Sequence, residues 1–134
     1  MLSIYIDAST KGNPGPSGAG ILIIEDGNQE QYAYPLQKMS NHEAEFQTLI
    51  LALNLILEQG REGQNILIYS DSKTVVSTID KNHTNNPLFL PYLENFQRLE
   101  RNFSLLVVQW IPESKNKGAD NLARQGLAKA LKAK

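Results

Sequence analysis

Two aspartates follow apolar runs that are typical of central β-strands. Asp7 ends the alternating run at residues 2–7, and Asp71 comes directly after the apolar run at residues 65–70. A carboxylate in such a place faces neighbouring side chains, and the lost hydration costs free energy unless another group compensates the charge. Taken alone, Asp71 is better explained as an acid at a helix start, where the helix dipole favours it.

Glu45 and Asp120 each lie on an otherwise apolar face of a predicted helix. The apolar residues of these faces are Leu49, Ala52 and Ile56 for Glu45, and Ala123, Leu127 and Ala130 for Asp120. The alternatives are an ordinary, partly exposed glutamate for Glu45 and a helix-start acid for Asp120. Ser40 and Glu43 form a capping box, however, so Glu45 is not needed to begin its helix.

These acids together indicate one kind of chemistry. Carboxylates that converge on one point repel each other unless cations join them, and Mg²⁺, with Mn²⁺ as the alternative, suits oxygen ligands. Two such ions about 4 Å apart can activate a water and stabilise the leaving oxygen in a displacement at phosphorus. We therefore expect Asp7, Glu45, Asp71 and Asp120 to be catalytic metal ligands for phosphoryl transfer.

Composition narrows the class of protein. The 134 residues include no cysteine, which excludes disulfide frameworks, zinc fingers and thiol nucleophiles, and the length suits one domain over residues 1–134. The longest apolar stretch, residues 49–57, is too short to span a membrane, and no secretory signal is visible. We expect a cytoplasmic monomer without membrane contact. The net charge of -1 means that any contact with nucleic acid must be local.

Apolar periodicity and turn signals predict the element order βββαβααβα. Strands are expected at residues 2–7, 19–25, 30–35, 65–70 and 105–111, and helices at residues 40–59, 71–80, 87–101 and 119–132. The segment at residues 10–20, rich in glycine and proline, is expected to be a tight loop, and Asp26-Gly27 a hairpin turn. This order predicts an α/β fold with helices on both faces of a mixed sheet.

Four sequence blocks follow the order seen in one known family. They are Tyr5-Ile6-Asp7 with Gly12-Asn13-Pro14-Gly15-Pro16, then Ser40-Asn41-His42-Glu43-Ala44-Glu45, then Tyr69-Ser70-Asp71-Ser72, and finally Ala119-Asp120-Asn121-Leu122-Ala123. In these blocks, which span nearly the whole chain, the protein resembles the type 1 ribonuclease H family. The first block is highly specific, and in the second the family's glutamate ligand corresponds to Glu45.

The resemblance implies a ribonuclease H-like fold, in which an antiparallel meander of three strands continues into parallel strands of a five-stranded sheet. It also implies an endonuclease that hydrolyses the RNA strand of RNA/DNA hybrids, with metal ions held by the four acids. Asn13, Ser40 and Asn41 would then contact the substrate backbone. Asn13 is otherwise explained as a turn former and Ser40 as an N-cap.

The chain departs from the family's pattern in three places. Residues 111–118 contain no histidine, although many family members carry a mobile one there, and Glu113 is a residue that could act in its place. The family's basic protrusion is reduced to a short polar connection, and Ala8 replaces the glycine that usually follows the first aspartate. Two alternatives therefore stay open: a nucleic-acid-binding module with little or no turnover, and a nuclease acting on double-stranded RNA or another structured nucleic acid.

Overall fold

The computed structural model of the chain describes residues 1–133, which form a five-stranded mixed sheet with α-helices on both faces. The strands are β1 (Leu2–Thr10), β2 (Gly15–Glu25), β3 (Asn28–Met39), β4 (Asn65–Ser70) and β5 (Leu105–Trp110). The helices are α1 (Asn41–Glu58), α2 (Lys73–Lys81), α3 (Leu90–Glu100) and α4 (Lys117–Lys132), with a 3₁₀ turn at Glu113–Lys115. The predicted order and the α/β fold are confirmed. Among the described residues, no helix is long and apolar enough to cross a membrane.

The order of the strands across the sheet is β3-β2-β1-β4-β5. β1, β2 and β3 form an antiparallel meander, whereas β4 is parallel to β1 and β5 is parallel to β4. Asp26 and Gly27 join β2 to β3 with positive φ angles of 52° and 81°, as a two-residue hairpin turn requires. Because β1 and β4 are parallel neighbours, residues that follow them in the chain come to the same edge of the sheet.

The main core lies between β1, β2 and α1. The apolar face predicted for α1, at Leu49, Ala52 and Ile56, has no exposed surface and belongs to the same cluster as Ile4 and Ile21 of the sheet. Burial of one large aliphatic side chain stabilises a fold by about 1.5–3 kcal/mol. This packing fixes α1 against the sheet and thereby positions the turn of α1 that precedes the apolar face.

Local signals set both ends of α1, as the sequence predicts. Ser40 Oγ accepts a hydrogen bond from the Glu43 backbone N–H at 3.2 Å, and Glu43 Oε1 accepts one from the Ser40 N–H at 3.3 Å. At the other end Gly60 has a φ of 69°, a left-handed conformation that glycine adopts without strain. The capping box is complete without Glu45.

The prediction of a loop over residues 10–20 is wrong, because β2 already begins at Gly15. Gly18 and Gly20 are strand residues that leave room for α4. A Cβ on Gly18 would lie 2.0 Å from the backbone nitrogen of Leu127, and one on Gly20 would lie 2.2 Å from the Ala119 carbonyl oxygen. These glycines permit close packing of a helix on a strand, a tertiary requirement that resembles turn chemistry in the sequence.

The strands of the meander are also longer than predicted. β1 continues beyond Asp7 to Thr10, which pairs with Ser17, and β3 continues to Met39, which pairs with Gly15. Pairing with a neighbouring strand extends both elements over residues without apolar alternation. Asp7 therefore lies within β1 and not at its end.

Three helices begin at residues other than those predicted. α2 begins at Lys73 and its N-cap is Ser72, whose Oγ accepts a hydrogen bond from a backbone N–H in the first turn at 3.2 Å. α3 begins at Leu90 because a turn stabilised by the Asn86 side chain precedes it, and α4 begins at Lys117, directly after the 3₁₀ turn. Asp71 thus precedes the cap of α2, and the helix does not use its carboxylate.

Candidate functional site

Three of the four predicted acids come together where the pairing of β1 with β4 ends. One carboxylate oxygen from each of Asp7, Glu45 and Asp71 lies within 4.8 Å of the other two. Parallel pairing of Ile6 with Ser70 places Asp7 and Asp71 side by side, since each is the next residue along its segment. Glu45 reaches the same point from the first turns of α1. The acid cluster is therefore assembled from three separate segments of the chain.

The acids of this cluster have raised pKa values because they are buried next to one another. Loss of hydration, followed by the charge of Asp71, raises the pKa of Asp7 from 3.8 to about 7. Burial and then the charge of Asp7 raise the pKa of Glu45 well above its ordinary value. Burial also raises the pKa of Asp71, and the charge of Glu113 adds to this effect. Within residues 1–133, no lysine or arginine forms an ion pair with any of the three.

This set of oxygen donors fits a hard divalent cation. Glu45 Oε2 is enclosed and has no hydrogen-bond partner within the described part of the chain. A buried acceptor in this state costs about 1–3 kcal/mol, to which the repulsion between the acids is added. Mg²⁺ or Mn²⁺ binds carboxylate oxygens and would relieve both costs. Asp7, Glu45 and Asp71 can therefore hold such an ion.

Asp120 lies beside the cluster and not within it. It is in the first turn of α4, its side chain is 33% exposed, and it forms an ion pair with Arg124 at 3.2 Å. Its charge nevertheless raises the pKa of both Asp7 and Asp71, so the fourth acid acts on the same region. An open cleft of about 550 Å³ adjoins it and is lined by Glu113, Ser114, Lys117, Asp120, Asn121 and Arg124.

Asn116, which no local pattern in the sequence singles out, also belongs to the site. It is 1% exposed, and its Nδ2 donates hydrogen bonds to the Ile6 carbonyl at 2.8 Å and to Asp71 Oδ2 at 3.1 Å. One amide thus links β1 to the acid that follows β4, and this hydrogen bond opposes the effect of burial on the pKa of Asp71. In a sequence, an asparagine before a helix indicates only a turn or a cap, and nothing local signals such distant partners.

The three predicted substrate-binding residues meet at the start of α1. Asn13 Oδ1 accepts a hydrogen bond from the Asn41 backbone N–H at 3.1 Å, which holds the glycine-rich turn against the helix. The Ser40 hydroxyl takes part in the capping box, and Asn41 Oδ1 accepts a hydrogen bond from the His42 N–H at 2.8 Å. Asn13 and Asn41 are exposed, and their side-chain N–H groups donate to no atom of residues 1–133. A role in substrate binding stays a prediction for all three.

Both histidines of the chain lie outside the segment between β5 and α4. The ring of His42 contacts Phe89 with 5.9 Å between centroids, and His83 Nε2 is hydrogen-bonded to Asn85 Oδ1 at 3.0 Å. Glu113 begins the 3₁₀ turn in that segment, and its charge contributes to the raised pKa of Asp71. Glu113 is therefore close enough to influence the cluster, while its suggested action in place of the family's histidine stays a prediction.

Known sequences similar to this chain include hydrolases and ribonucleases H. A family model described as reverse transcriptase-like matches residues 5–126. EbsB of Enterococcus faecalis, which is named provisionally as a hydrolase, is 53% identical over 129 residues that cover 96% of each chain. The ribonuclease H of Parvibaculum lavamentivorans is 30% identical in an alignment that covers 100% of this chain and 97% of that enzyme.

Comparison with solved structures extends this similarity to the fold. LC11-RNase H1, an enzyme isolated from compost and solved in complex with an RNA/DNA hybrid, matches with a TM-score of 0.89 and 26% identity, over 98% of this chain and 99% of that one. RNase H1 of Halobacterium salinarum matches with a TM-score of 0.88 and 26% identity, over 96% of this chain and 98% of that one. The predicted resemblance and the predicted five-stranded fold are both confirmed.

Proposed function

The chain belongs to the reverse transcriptase-like family and is a ribonuclease H-type enzyme, and from this premise we propose that it hydrolyses the RNA strand of RNA/DNA hybrids with divalent metal ions. The observation that carries the proposal is the cluster of Asp7, Glu45 and Asp71, whose oxygens lie within 4.8 Å of one another. No cationic side chain of residues 1–133 compensates these acids. Catalytic roles are proposed for these three acids and for Asp120.

Mg²⁺ is the proposed cofactor, with Mn²⁺ as the alternative. Asp7, Glu45 and Asp71 would hold it, and Asp120 would contribute a further carboxylate from α4. When bound, the ion polarises the scissile phosphate and lowers the pKa of an attacking water. The exposure and the Arg124 ion pair of Asp120 suggest that this acid is the most adjustable of the four.

The chain's own contribution is to hold the acids in place before substrate arrives. Packing of α1 on the core orients Glu45, and Asn116 keeps the Asp71 carboxylate at a set distance from the Ile6 carbonyl. The cost of placing like charges together is met during folding, so the site needs little rearrangement during the reaction. Burial and the charge of Asp71 raise the pKa of Asp7 to about 7, so a cation that binds these acids would compete with a proton near neutral pH.

An RNA/DNA hybrid is the proposed substrate. The similarity to an enzyme solved with such a hybrid extends over 98% of the chain, which supports this assignment. The side-chain N–H groups of Asn13 and Asn41 can donate to phosphates or to 2′-hydroxyl groups, contacts that recognise shape more than sequence. We expect weak sequence preference, a monomer and a cytoplasmic location.

A second candidate is a nucleic-acid-binding module with little or no turnover. The observation that favours it is the absence of histidine from residues 111–118, which leaves Glu113 as the one carboxylate of that segment. The carboxylate cluster argues against this candidate, because a module that only binds a polyanion gains nothing from buried acids.

The test compares cleavage of labelled RNA/DNA hybrid, double-stranded RNA and double-stranded DNA in Mg²⁺ or Mn²⁺. Wild type is expected to cut the RNA of the hybrid, and Asp71→Asn is expected to leave it intact. Asp26→Asn is the matched control, since it makes the same chemical change at an exposed turn whose positive φ suits asparagine. Cleavage that survives Asp71→Asn would contradict the metal-ligand assignment.

The same assay separates the candidates. Cleavage of double-stranded RNA alone would change the substrate and keep the chemistry. A wild-type protein that binds the hybrid in a gel-shift assay but cuts none of the three nucleic acids would favour the binding module.

A further inference from the structure

A groove between α2 and β5 lies next to the backbone of Asp71 and has no part in the proposed chemistry. It has a volume of about 390 Å³ and is lined by Lys73, Val76, Ser77, Asp80, Lys81 and Trp110. Trp110 is the last residue of β5, and its indole Nε1 donates a hydrogen bond to the Asp71 carbonyl oxygen at 3.2 Å. The groove therefore begins at the backbone of a proposed metal ligand.

Trp110 presents an aromatic ring to solvent at this point. It is 37% exposed and is the one tryptophan of the chain. Lys73 Nζ lies 5.2 Å from the centroid of the ring, a cation–π contact that holds a positive charge against the indole. A molecule that binds at this point can therefore contact both the apolar ring of Trp110 and the positive charge of Lys73.

One face of α2 supplies the positive charge of the groove. Lys73, Ser77 and Lys81 recur every four residues, so they lie along one side of the helix, with the lysines about 12 Å apart along its axis. Within residues 1–133, neither lysine forms an ion pair with a carboxylate. The lining contains two lysines against one aspartate, so the groove is locally positive although the chain has a net charge of -1.

We propose that this groove binds the backbone of the nucleic acid beside the cleavage site, an inference that rests on the proposed function. Phosphates lie against Lys73 and Lys81, and a sugar or base contacts the exposed surface of Trp110. Lysines that neutralise phosphate, together with an aromatic platform, hold a strand without reading its sequence. The occupant is a polynucleotide because a strand whose scissile phosphate lies at Asp71 extends onto the surface next to that residue, where the groove begins.

The single tryptophan makes this proposal directly measurable. Its fluorescence reports on the groove, and no other indole contributes a background. A labelled-strand cleavage assay is run in parallel with a fluorescence titration by the same RNA/DNA hybrid, the latter in EDTA so that the strand stays intact. Binding in the groove is expected to change the emission of Trp110 in a saturable way.

Charge-removing variants leave the reporter in place. Lys73→Gln with Lys81→Gln is expected to raise Kd and KM several-fold and to lower the slope of log affinity against log salt concentration by about 2, because each phosphate that a lysine no longer neutralises accounts for roughly one unit. The kcat at saturating hybrid is expected to stay near that of wild type, because the carboxylates are unchanged. Lys132→Gln is the matched control at the far end of α4, and it is expected to bind like wild type.

Each outcome bears on one of the two proposals. If the hybrid is cleaved while the emission of Trp110 does not change and the double variant keeps the wild-type salt dependence, the groove proposal is overturned and the proposed function stands. If nothing is cleaved but the emission responds and the lysine dependence is present, the groove proposal stands and the nuclease assignment fails. A chain that neither cuts nor binds the hybrid, double-stranded RNA or single-stranded RNA overturns both.

Discussion

Two groups of acids at opposite ends of the sheet are stabilised in opposite ways. At the hairpin end, Arg61 donates hydrogen bonds to Glu25 at 2.8 Å and to Glu30 at 2.7 Å, and this guanidinium lowers the pKa of Glu30. At the other end, the cluster around Asp7 and Glu45 has no such partner within residues 1–133, and its pKa values are raised.

This difference indicates which acids are structural and which are available for function. Arg61, which follows α1, lies between Glu25 and Glu30 and holds the hairpin end of β2 and β3 against the end of α1. The uncompensated cluster costs stability in the free protein, so its retention points to a cation taken from solution.

Replacement of Glu45 by glutamine is expected to have opposite effects on activity and on stability. Loss of one carboxylate ligand should reduce kcat/KM for hybrid cleavage about a thousandfold, which corresponds to about 4 kcal/mol of transition-state stabilisation. In EDTA the same variant should be more stable than wild type, because a buried charge has been removed. Steady-state cleavage and urea unfolding measure the two effects, with the exposed Glu94→Gln as control. If Glu45→Gln is less stable than wild type in EDTA, the acid cluster does not cost stability and the contrast with the Arg61 ion pairs fails.

Asn116→Ala removes the link between Ile6 and Asp71 and leaves every acid in place. Loss of a residue that orients a metal ligand typically reduces activity or metal affinity by about 10–100-fold. We expect a decrease of this size in Mg²⁺ affinity, measured by calorimetry, and in cleavage. Asn102→Ala, at an exposed position just after the end of α3, is the control and should change neither. Unchanged metal affinity in Asn116→Ala would mean that the amide serves only the fold.

The two groups of acids should respond to pH in opposite directions. In metal-free protein the pKa of Asp7 is about 7 against an ordinary 3.8, so its contribution to stability is complete at pH below 3.8 and is lost as pH rises through 7. The pKa of Glu30 is lowered from 4.5 by Arg61, so its contribution is present above that value and is lost on acidification. Thermal unfolding in EDTA between pH 5 and 8 isolates the first group. The decrease in stability with rising pH should be smaller in Asp7→Asn, and in wild type with Mg²⁺, than in wild type in EDTA. An equal slope in these three samples would show that Asp7 is not the source of the decrease.

Arg61→Gln is expected to have the smallest effect. Its partners are partly exposed, with side-chain exposures of 32% for Glu25 and 38% for Glu30, so screening limits the ion pairs. A loss of roughly 0.5–1 kcal/mol in the free energy of unfolding at pH 7 is expected, and this loss should shrink in high salt. Cleavage by Arg61→Gln should equal that of wild type, because the hairpin end is remote from the acids. A large loss of cleavage would show that the two ends are coupled.

Features with local causes were predictable from the sequence. The capping box at Ser40 and Glu43, the hairpin turn at Asp26 and Gly27, and the strand β4 all occur where the residues indicated. The capping box and the hairpin turn depend on hydrogen bonds or backbone angles within a few residues, and β4 follows a local apolar run. Glu45 was identified for the same reason, since the capping box and the apolar face of α1 are local.

Features that depend on distant segments were not predictable. The glycines of residues 10–20 indicate a loop in the sequence, because the need for close packing of Gly18 and Gly20 against α4 exists only in the folded chain. The partner of Asn116 at Ile6 lies 110 residues away, and no local pattern encodes it. The position of Asp120 beside the cluster likewise depends on how α4 packs on the sheet, which periodicity alone does not determine.

The packing of α4 on the sheet also affects how this enzyme can evolve. A Cβ at Gly18, Gly20 or Gly126 would lie within 2.0–2.5 Å of backbone atoms across the contact, so any larger residue there must lift the helix. Because the same helix carries Asp120, its height above the sheet sets the distance of the fourth acid from the other three. A substitution at one of these glycines can therefore move the fourth acid, although the glycines themselves lie outside the acid cluster.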